Sequence, residues 1–169
     1  MEIRLIHADE SGDLGRITVE AYRNLRGTQP IGPYEKELRN VEARRIDSEV
    51  YVALDEDGQL MGGVTYVRDP SHEMAEFEDP DACGIRMLAV DPRFQGRGAG
   101  RSLVEACIAR AREHGRERII LHSTPSMTLA QAMYARLGFD RAPELDEWID
   151  EARDDDGQPL HLKAFTYSL

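Results

Sequence analysis

Short apolar runs alternate along the chain with stretches of helical periodicity, which predicts strands interleaved with helices. The first half predicts, in order, a strand at Glu2–Ala8, a helix over Asp9–Gly27, a break from Gly27 to Pro33, a more polar helix over Tyr34–Asp47 and a hairpin over Glu49–Asp69. The hairpin is indicated by Asp57-Gly58, a strong turn signal between two apolar runs.

The second half continues this pattern after an acidic loop at Pro70–Asp81. It predicts a strand at Cys83–Val90, a helix over Arg101–His114, a strand at Glu117–Ser123, a helix over Met127–Leu137 and a closing strand at Leu160–Leu169. Gly115 and Gly138 follow the two helices, where helical C-caps occur. The segment Glu144–Asp156 is mostly acidic, and we interpret it as a solvated loop.

This order of elements predicts a mixed β-sheet flanked by about four helices. Strand–helix–strand units occur together with an antiparallel hairpin, which favours an α+β (α/β mixed sheet) fold class. The chain has 169 residues, of which 41% are hydrophobic and 31% charged. That size and composition suit one compact domain with its own core, so we predict a single domain over residues 1–169.

The charge of the chain narrows the classes of partner. A formal net charge of −11 disfavours binding to nucleic acid or to an anionic membrane. It suits attraction of a cationic small molecule, and equally an ordinary solubility charge. No apolar run approaches the roughly 20 residues that span a bilayer, and the N-terminus lacks the features of a signal peptide. We therefore expect a cytoplasmic protein.

The chain has two cysteines, Cys83 and Cys107. Two cysteines do not make a disulfide framework, and no second pair gives zinc-ligand spacing, so no metal site is predicted. We interpret both as small buried hydrophobes. A catalytic thiol is the minor alternative, because no histidine is placed by the sequence to activate either one.

A glycine-rich stretch, Gln95–Gly100 (QGRGAG), joins the Cys83–Val90 strand to the next helix. Such a turn gathers backbone N–H groups at the positive end of a helix dipole, which suits a phosphate or pyrophosphate. A P-loop would need a Gly-Lys pair, which the chain lacks. A dinucleotide-binding loop would place the third glycine one position later. The alternative interpretation is a tight turn without a ligand.

The surrounding residues, Gly84–Gly115, resemble the central motif of the GNAT superfamily of acyl-CoA-dependent N-acyltransferases. The family's L-x-V-x-P reads here as Leu88–Pro92, and its [QR]-x-x-G-x-[GA] as Gln95–Gly100. Downstream, Ala130–Phe139 (AQAMYARLGF) is similar to the second family motif, A-x-x-x-Y-x-x-x-G-F. The resemblance covers roughly residues 50–140 well, and the N-terminal third only in the order of its elements.

The resemblance implies an acetyl-CoA site with a splayed strand pair. Backbone groups of Leu88, Ala89 and Val90 would bind the pantetheine arm as a further strand would. The pyrophosphate would be held by the amides of the glycine loop: Gln95, Gly96, Arg97, Gly98, Ala99 and Gly100. Arg97 and Arg101 would add positive charge near the CoA phosphates, or are ordinary surface arginines.

Tyr134 matches the family tyrosine that protonates the departing CoA thiolate. A phenol can donate that proton, and an O–H···S contact also stabilises the developing charge. The alternative is a helix tyrosine that is half in the core.

Two positions depart from the family pattern. Gly84 stands where many members carry a glutamate base, and Met127 where many carry an asparagine that bonds the pantetheine. Candidates for the base are Glu76 and Glu78 in the acidic loop, and His122, which titrates near neutrality. A further possibility is that no dedicated base exists and water takes the proton.

The sequence thus predicts an N-acetyltransferase that moves an acetyl group from acetyl-CoA to a primary amine of a small molecule or peptide. The amine would attack directly in a ternary complex, in a pocket walled by the first two helices and the acidic loop. The alternative is a non-catalytic acyl-CoA-binding regulatory module on the same fold. The sequence is also compatible with a homodimer.

Overall fold

An eight-stranded sheet organises the part of the chain that the computed structural model describes, residues 1–25, 32, 34–154 and 156–169. Its strands are β1 (Glu2–Leu5), β2 (Glu49–Leu54), β3 (Leu60–Val67), β4 (Ala82–Val90), β5 (Arg118–Ser123), β6 (Asp140–Arg141), β7 (Glu147–Arg153) and β8 (Pro159–Ser168). The helices are α1 (Ser11–Arg23), α2 (Tyr34–Arg39), α3 (Val41–Asp47), α4 (Ala99–Glu113) and α5 (Thr128–Leu137). Except for Gly32, the predicted break from Gly27 to Pro33 lies outside the described residues.

The strands follow the order β1-β2-β3-β4-β5-β8-β6, and β7 pairs with β8. Every pairing is antiparallel except that of β4 with β5, which is parallel and is connected through α4. Antiparallel hairpins joined to one parallel crossover make a mixed sheet. The predicted α+β class is therefore confirmed.

Helices cover both faces of the sheet. Side chains alternate along β2, so that Tyr51 and Ala53 join a cluster with α4, whereas Val50 and Val52 pack with Leu14 of α1 and with α3. The apolar stripe of α4 lies fully in the first cluster: Leu103, Val104, Cys107, Ile108 and Ala111. Among the described helices, none combines the length and apolar character that crossing a bilayer requires.

Both cysteines are free and buried in the cluster between α4 and the sheet, Cys107 on α4 and Cys83 on β4. Burial raises the pKa of the Cys83 thiol to about 11 and moves that of Cys107 in the same direction. A thiol that holds its proton is a poor nucleophile. The interpretation of both residues as small buried hydrophobes is confirmed.

The second predicted helix, Tyr34–Asp47, is two helices that meet at Asn40. The Ala43 N–H donates to Asn40 Oδ1 at 3.3 Å, so Asn40 caps the start of α3. Asparagine favours this capping position because its side chain replaces a missing intrahelical acceptor. The periodicity of this stretch predicted one continuous helix, but the capping residue Asn40 divides it into two.

The prediction of a solvated loop over Glu144–Asp156 is wrong. A 3-10 turn at Pro143–Leu145 leads into β7, which pairs antiparallel with β8. The Trp148 ring stacks on the His161 ring of β8, with centroids 4.2 Å apart and planes at 5°. Pairing with β8 and this cross-strand contact override the acidic composition, which by itself disfavours a strand.

Candidate active site

The parallel strands β4 and β5 separate after three residue pairs. Ala82, Cys83 and Gly84 pair with the first residues of β5, and the last pair joins Gly84 to Ile120. Beyond it, β4 continues to Val90 along β3, while β5 continues to Ser123 along β8. The two strands therefore open a gap at their carboxyl ends. The predicted splayed strand pair is confirmed.

A β-bulge bends β4 inside this gap. Opposite β3, Thr65 pairs with Arg86 and Gly63 with Ala89, so Met87 and Leu88 together face a single residue of β3. Met87 has a φ of 53°, and no other non-glycine residue in the described ranges has a positive φ. A bulge twists its strand and re-aims the groups that follow it. No sequence signal marked this bulge, since methionine is not a residue that favours positive φ.

The predicted pantetheine-binding residues follow the bulge. Ala89 and Val90 pair with β3 on one side, and the other edge of β4 has left β5 by this point. A strand edge without a neighbour presents N–H and C=O groups to any extended ligand. Leu88 and Val90 are half-buried, and Ala89 is buried.

The glycine loop forms the N-terminus of α4. Gly98 is the N-cap residue with a φ of 87°, and Gly96 has a φ of 79°. A Cβ on either glycine would meet no atom within 4 Å, so the left-handed backbone, and not crowding, requires glycine here. The first helical bond runs from the Ser102 N–H to the Gly98 carbonyl at 3.0 Å. The N–H groups of Ala99 to Arg101 therefore have no hydrogen-bond acceptor within the helix, and they lie at the positive end of its dipole.

The two arginines of the loop are exposed and differ in their contacts. The Arg97 guanidinium lies over the Phe94 ring, 5.3 Å from its centroid. Arg101 is paired with Glu105 one turn along α4, with Nε–Oε1 at 2.9 Å. Gln95 is also exposed. Arg97 thus has the freer charge, while that of Arg101 is partly neutralised.

Tyr134 lies on α5 with only 5% of its surface exposed. Its ring packs against Phe139 and Phe165, with centroids 5.6 and 6.1 Å away. Within the described residues its hydroxyl has no hydrogen-bond partner. Burial raises the pKa of Tyr134 well above its ordinary range, so the phenol keeps its proton at neutral pH.

Tyr22 of α1 lies close enough to Tyr134 for the two hydroxyls to interact electrostatically. Burial raises the pKa of Tyr22, and the neighbouring hydroxyls of Tyr34 and Tyr134 add to that shift. Tyr22 and Tyr34 pack edge to face, 6.3 Å apart. With Met74 they cover a small buried cluster of Val19, Leu38 and Met87. The two helices and the acidic loop thus come together as one wall.

Two of the three candidate bases contact each other. Glu76 Oε1 lies 2.7 Å from Arg86 Nη2 in an ion pair, and its Oε2 lies 3.5 Å from His122 Nδ1. His122 Nε2 lies 2.9 Å from the Leu145 carbonyl, which can only accept, so Nε2 donates. Glu78 is exposed. The structure therefore brings Glu76 and His122 together, and leaves Glu78 at the surface.

These contacts determine the protonation of the pair. Burial alone would raise the pKa of Glu76, but His122 and Arg86 together hold it below its usual value. Burial alone would lower the pKa of His122, but Glu76 and the Leu145 carbonyl raise it. The pair therefore favours a carboxylate beside an imidazolium.

The two positions that depart from the motif have different surroundings. A Cβ on Gly84 would lie 2.6 Å from Cε1 of Phe77, so the Phe77 ring occupies the space of a side chain there. Met127 is the N-cap of α5, and its side chain makes no capping bond. Its backbone N–H donates to the Thr124 carbonyl at 3.1 Å.

A family model agrees with this geometry. The model described as "Acetyltransferase (GNAT) family" matches residues 16–139, a range that includes the second half of α1, the splayed strands, the glycine loop and Tyr134. The chain belongs to the GNAT acetyltransferase family. The resemblance seen in its two motifs is confirmed.

Relatives match part of this GNAT chain. Mycothiol acetyltransferase of Cellulomonas flavigena is 34% identical over 92 residues, which are 54% of this chain and 26% of that protein. The uncharacterized N-acetyltransferase YhbS of Escherichia coli K12 is 32% identical over 95 residues, 56% of this chain and 51% of that protein. The chain thus matches between about a quarter and half of the length of these relatives.

Solved structures show the same fold over the whole length. A ribosomal-protein-alanine N-acetyltransferase from Brucella melitensis has a TM-score of 0.75 at 22% identity, with 100% of both chains covered. The yncA protein from Salmonella typhimurium, a putative acetyltransferase solved with acetyl-CoA, has a TM-score of 0.72 at 20% identity, covering 100% of this chain and 94% of its own.

Proposed function

We propose that the chain is an N-acetyltransferase that moves an acetyl group from acetyl-CoA to a primary amine of a small molecule or peptide. The observation that carries this proposal is the gap between β4 and β5. A short 3-10 turn at Pro92–Phe94 joins the end of β4 at this gap to the glycine loop of α4, and the protonated phenol of Tyr134 lies on helix α5. Family membership supports the same activity.

The gap suits the cofactor in two ways. The pantetheine arm would bind along the edge of β4 at Leu88 to Val90, where β5 no longer pairs with β4. The pyrophosphate would bind the amides at the start of α4, which have no intrahelical acceptor. Arg97 would add positive charge, and Arg101 less because it is paired with Glu105.

The reaction is a direct transfer. The neutral amine attacks the thioester carbonyl, a C–N bond forms, and the C–S bond breaks to release CoA. A backbone N–H near Leu88 would polarise the carbonyl, and Tyr134 would donate a proton to the departing sulfur. Because burial keeps Tyr134 protonated, the phenol is ready to act as the acid.

The acceptor would enter on the side of α1 and α2. The wall formed by Tyr22, Tyr34 and Met74 is aromatic and apolar, and it suits the carbon skeleton that carries the amine. Nothing in this wall selects one acceptor, so the proposal covers small-molecule and peptide amines alike.

The proton of the attacking amine needs an acceptor. Glu76 and His122 are engaged with each other and with Arg86, and Glu78 is exposed, so we favour water as the carrier. A role for Glu76, Glu78 or His122 as the base stays a prediction, as do a homodimer and a cytoplasmic location.

Calorimetric titration with CoA and acetyl-CoA, followed by thiol-release assays with a panel of amines, tests the proposal. We expect binding of both ligands, and thiol release that depends on an added amine. Binding without turnover on any amine would instead favour the acyl-CoA-binding regulatory module. Failure to bind either ligand would contradict both functions.

A further inference from the structure

The carboxylate of Glu76 lies close to the point where β4 and β5 separate. The last backbone pair joins Gly84 to Ile120. Side chains alternate along a strand, so the next residues on the same face are Arg86 of β4 and His122 of β5. Both contact Glu76, which comes from the connection between β3 and β4.

Each carboxylate oxygen of Glu76 contacts a side chain of a different strand. Oε1 lies 2.7 Å from Arg86 Nη2, and Oε2 lies 3.5 Å from His122 Nδ1. The side chain of His122 is 4% exposed, that of Arg86 17% and that of Glu76 25%. Solvent therefore screens this arrangement less than it screens a surface ion pair.

Hydrogen bonds to neighbouring carbonyls hold the two side chains that contact Glu76. Arg86 Nη1 donates to the Met74 carbonyl at 3.0 Å, which holds the loop against β4. His122 Nε2 donates to the Leu145 carbonyl, which fixes the imidazole on the side of β5. Without Glu76, the guanidinium of Arg86 and the imidazolium of His122 would repel each other across the gap.

We propose that Glu76 is a positioning residue that ties β4 to β5 beyond their last backbone pair and so sets the width of the gap that receives the acyl thioester. This inference rests on the proposed function. A gap held at a fixed width needs no ordering when the ligand binds, which favours affinity. Removing the carboxylate should therefore weaken acetyl-CoA binding, although the ion-pair partners of Glu76 are Arg86 and His122 and not the predicted pantetheine residues.

A positioning residue and a general base at Glu76 would affect different measured quantities. Both oxygens are engaged with cations, and the low pKa that results makes Glu76 a weak proton acceptor. A base would act on kcat, most strongly at low pH where the amine is protonated. A residue that sets the gap acts on the affinity for acetyl-CoA.

The bridge should also respond to pH through His122. The groups that act on its ring are Glu76 from the loop, the Leu145 carbonyl from the turn before β7, and Glu147 at the start of β7. Arg86 of β4 contacts the same Glu76 carboxylate. Because the folded pKa of His122 is raised, its contact with Glu76 is complete below the ordinary value and is lost as the pH rises through the folded pKa. Acetyl-CoA affinity should therefore decline on the alkaline side.

The test is the acetyl-CoA Kd, measured by calorimetry between about pH 5.5 and about pH 9. Three proteins are compared: the wild type, Glu76→Gln, and Glu73→Gln as a matched control in the same loop with an exposed side chain. We expect Glu76→Gln to raise the Kd about three- to tenfold at low pH and to flatten its pH dependence. Glu73→Gln should follow the wild type.

A second variant guards against a folding defect. His122→Gln can still donate to the Leu145 carbonyl but cannot titrate, so it should flatten the same pH dependence. Wild-type affinity and an unchanged pH profile in Glu76→Gln would overturn the inference. So would a loss of kcat at low pH with unchanged acetyl-CoA affinity, which would identify a base.

The two proposals fail in different ways. A wild-type protein that binds no acetyl-CoA overturns the proposed function, and this inference with it. A wild-type protein that binds and turns over acetyl-CoA, beside a Glu76→Gln variant of equal affinity, overturns only the positioning role.

Discussion

Phe77 lies over Gly84, so that a Cβ on Gly84 would be 2.6 Å from the Phe77 Cε1 atom. The Ile120 carbonyl would lie 3.5 Å from the same Cβ. The space that a glutamate would need at this position of β4 is therefore taken by an aromatic ring. The preceding residue, Glu76, lies in the loop and places its carboxylate on the same face of the sheet. There it pairs with Arg86 and His122.

This contact predicts that a side chain at position 84 destabilises the fold. Gly84→Ala should destabilise the fold by about 1–3 kcal/mol, the usual range for overpacking, because the Phe77 ring must move. In a Phe77→Ala background the same change should cost much less. Denaturant unfolding of the two single variants and the double variant measures this coupling. Equal costs in both backgrounds would show that Phe77 does not fill this space.

The glycine loop offers a second prediction, with a matched control. Gly98 and Gly58 both have positive φ, 87° and 75°, and both have open space around a Cβ, but Gly58 lies in the β2–β3 turn. Valine at either position should cost at least about 1–2 kcal/mol of stability through backbone strain. Only Gly98→Val should also weaken acetyl-CoA binding, by about tenfold or more, because it disturbs the amides at the pyrophosphate site.

Calorimetry on the folded variants measures that difference. Arg97→Ala should weaken binding less than Gly98→Val, since the backbone amides make most of the proposed contact. If Gly98→Val and Gly58→Val keep the same affinity for acetyl-CoA, the loop is a turn and the pyrophosphate binds elsewhere.

Asp146 fastens the β7–β8 hairpin to the rest of the sheet. Its carboxylate accepts from Arg141, from His161 Nε2 at 2.7 Å and from the Ala164 N–H at 2.9 Å. Its side chain is only 13% exposed. Asp146→Asn should therefore cost about 1–2 kcal/mol in the free energy of unfolding, whereas Asp150→Asn, at an exposed position of β7, should cost little.

The same residue predicts part of the acid sensitivity. The Arg141 guanidinium, with the Ala164 N–H and His161, holds the pKa of Asp146 well below its usual range. A carboxyl with a lowered folded pKa stabilises the fold above its unfolded value, about 3.9, and this contribution is lost as the pH falls. Unfolding measured below about pH 4 should be less pH-dependent in Asp146→Asn than in the wild type. An equal acid dependence in the two proteins would contradict this assignment.

Local signals allowed much of the fold to be predicted from the sequence. The glycine-rich turn at Gln95–Gly100, the apolar stripe of α4 and the Gly138 cap after α5 each depend on neighbours a few residues away. The strand β7 could not be predicted, because its pairing with β8 and the Trp148–His161 stack are tertiary contacts. The Met87 bulge likewise has no local signal, since its strain is balanced by burial against Val19 and Leu38.

The candidate site shows the same division. The glycine loop and Tyr134 each belong to a short motif, so their types and spacing could be read directly. Glu76, Arg86 and His122 are brought together only by the sheet register and by the path of the acidic loop. Candidate bases could therefore be named one by one from the sequence, but their mutual bonding could not.

Tyr134 gives the sharpest test of the proposed reaction. Tyr134→Phe keeps the ring that packs against Phe139 and Phe165, and it removes a hydroxyl that has no partner in the described part of the chain, so stability should barely change. If this hydroxyl protonates the CoA thiolate, the loss should fall on kcat and not on acetyl-CoA affinity, because the thiolate exists only along the reaction path. General acids contribute about 10²–10⁴-fold, and a thiolate leaves fairly well unaided, so we expect a loss of about 10²-fold. The measurement is acetyl-CoA turnover under conditions where chemistry is shown to limit the rate. Turnover by Tyr134→Phe within about twofold of the wild type would remove Tyr134 from the mechanism and leave it as a core residue.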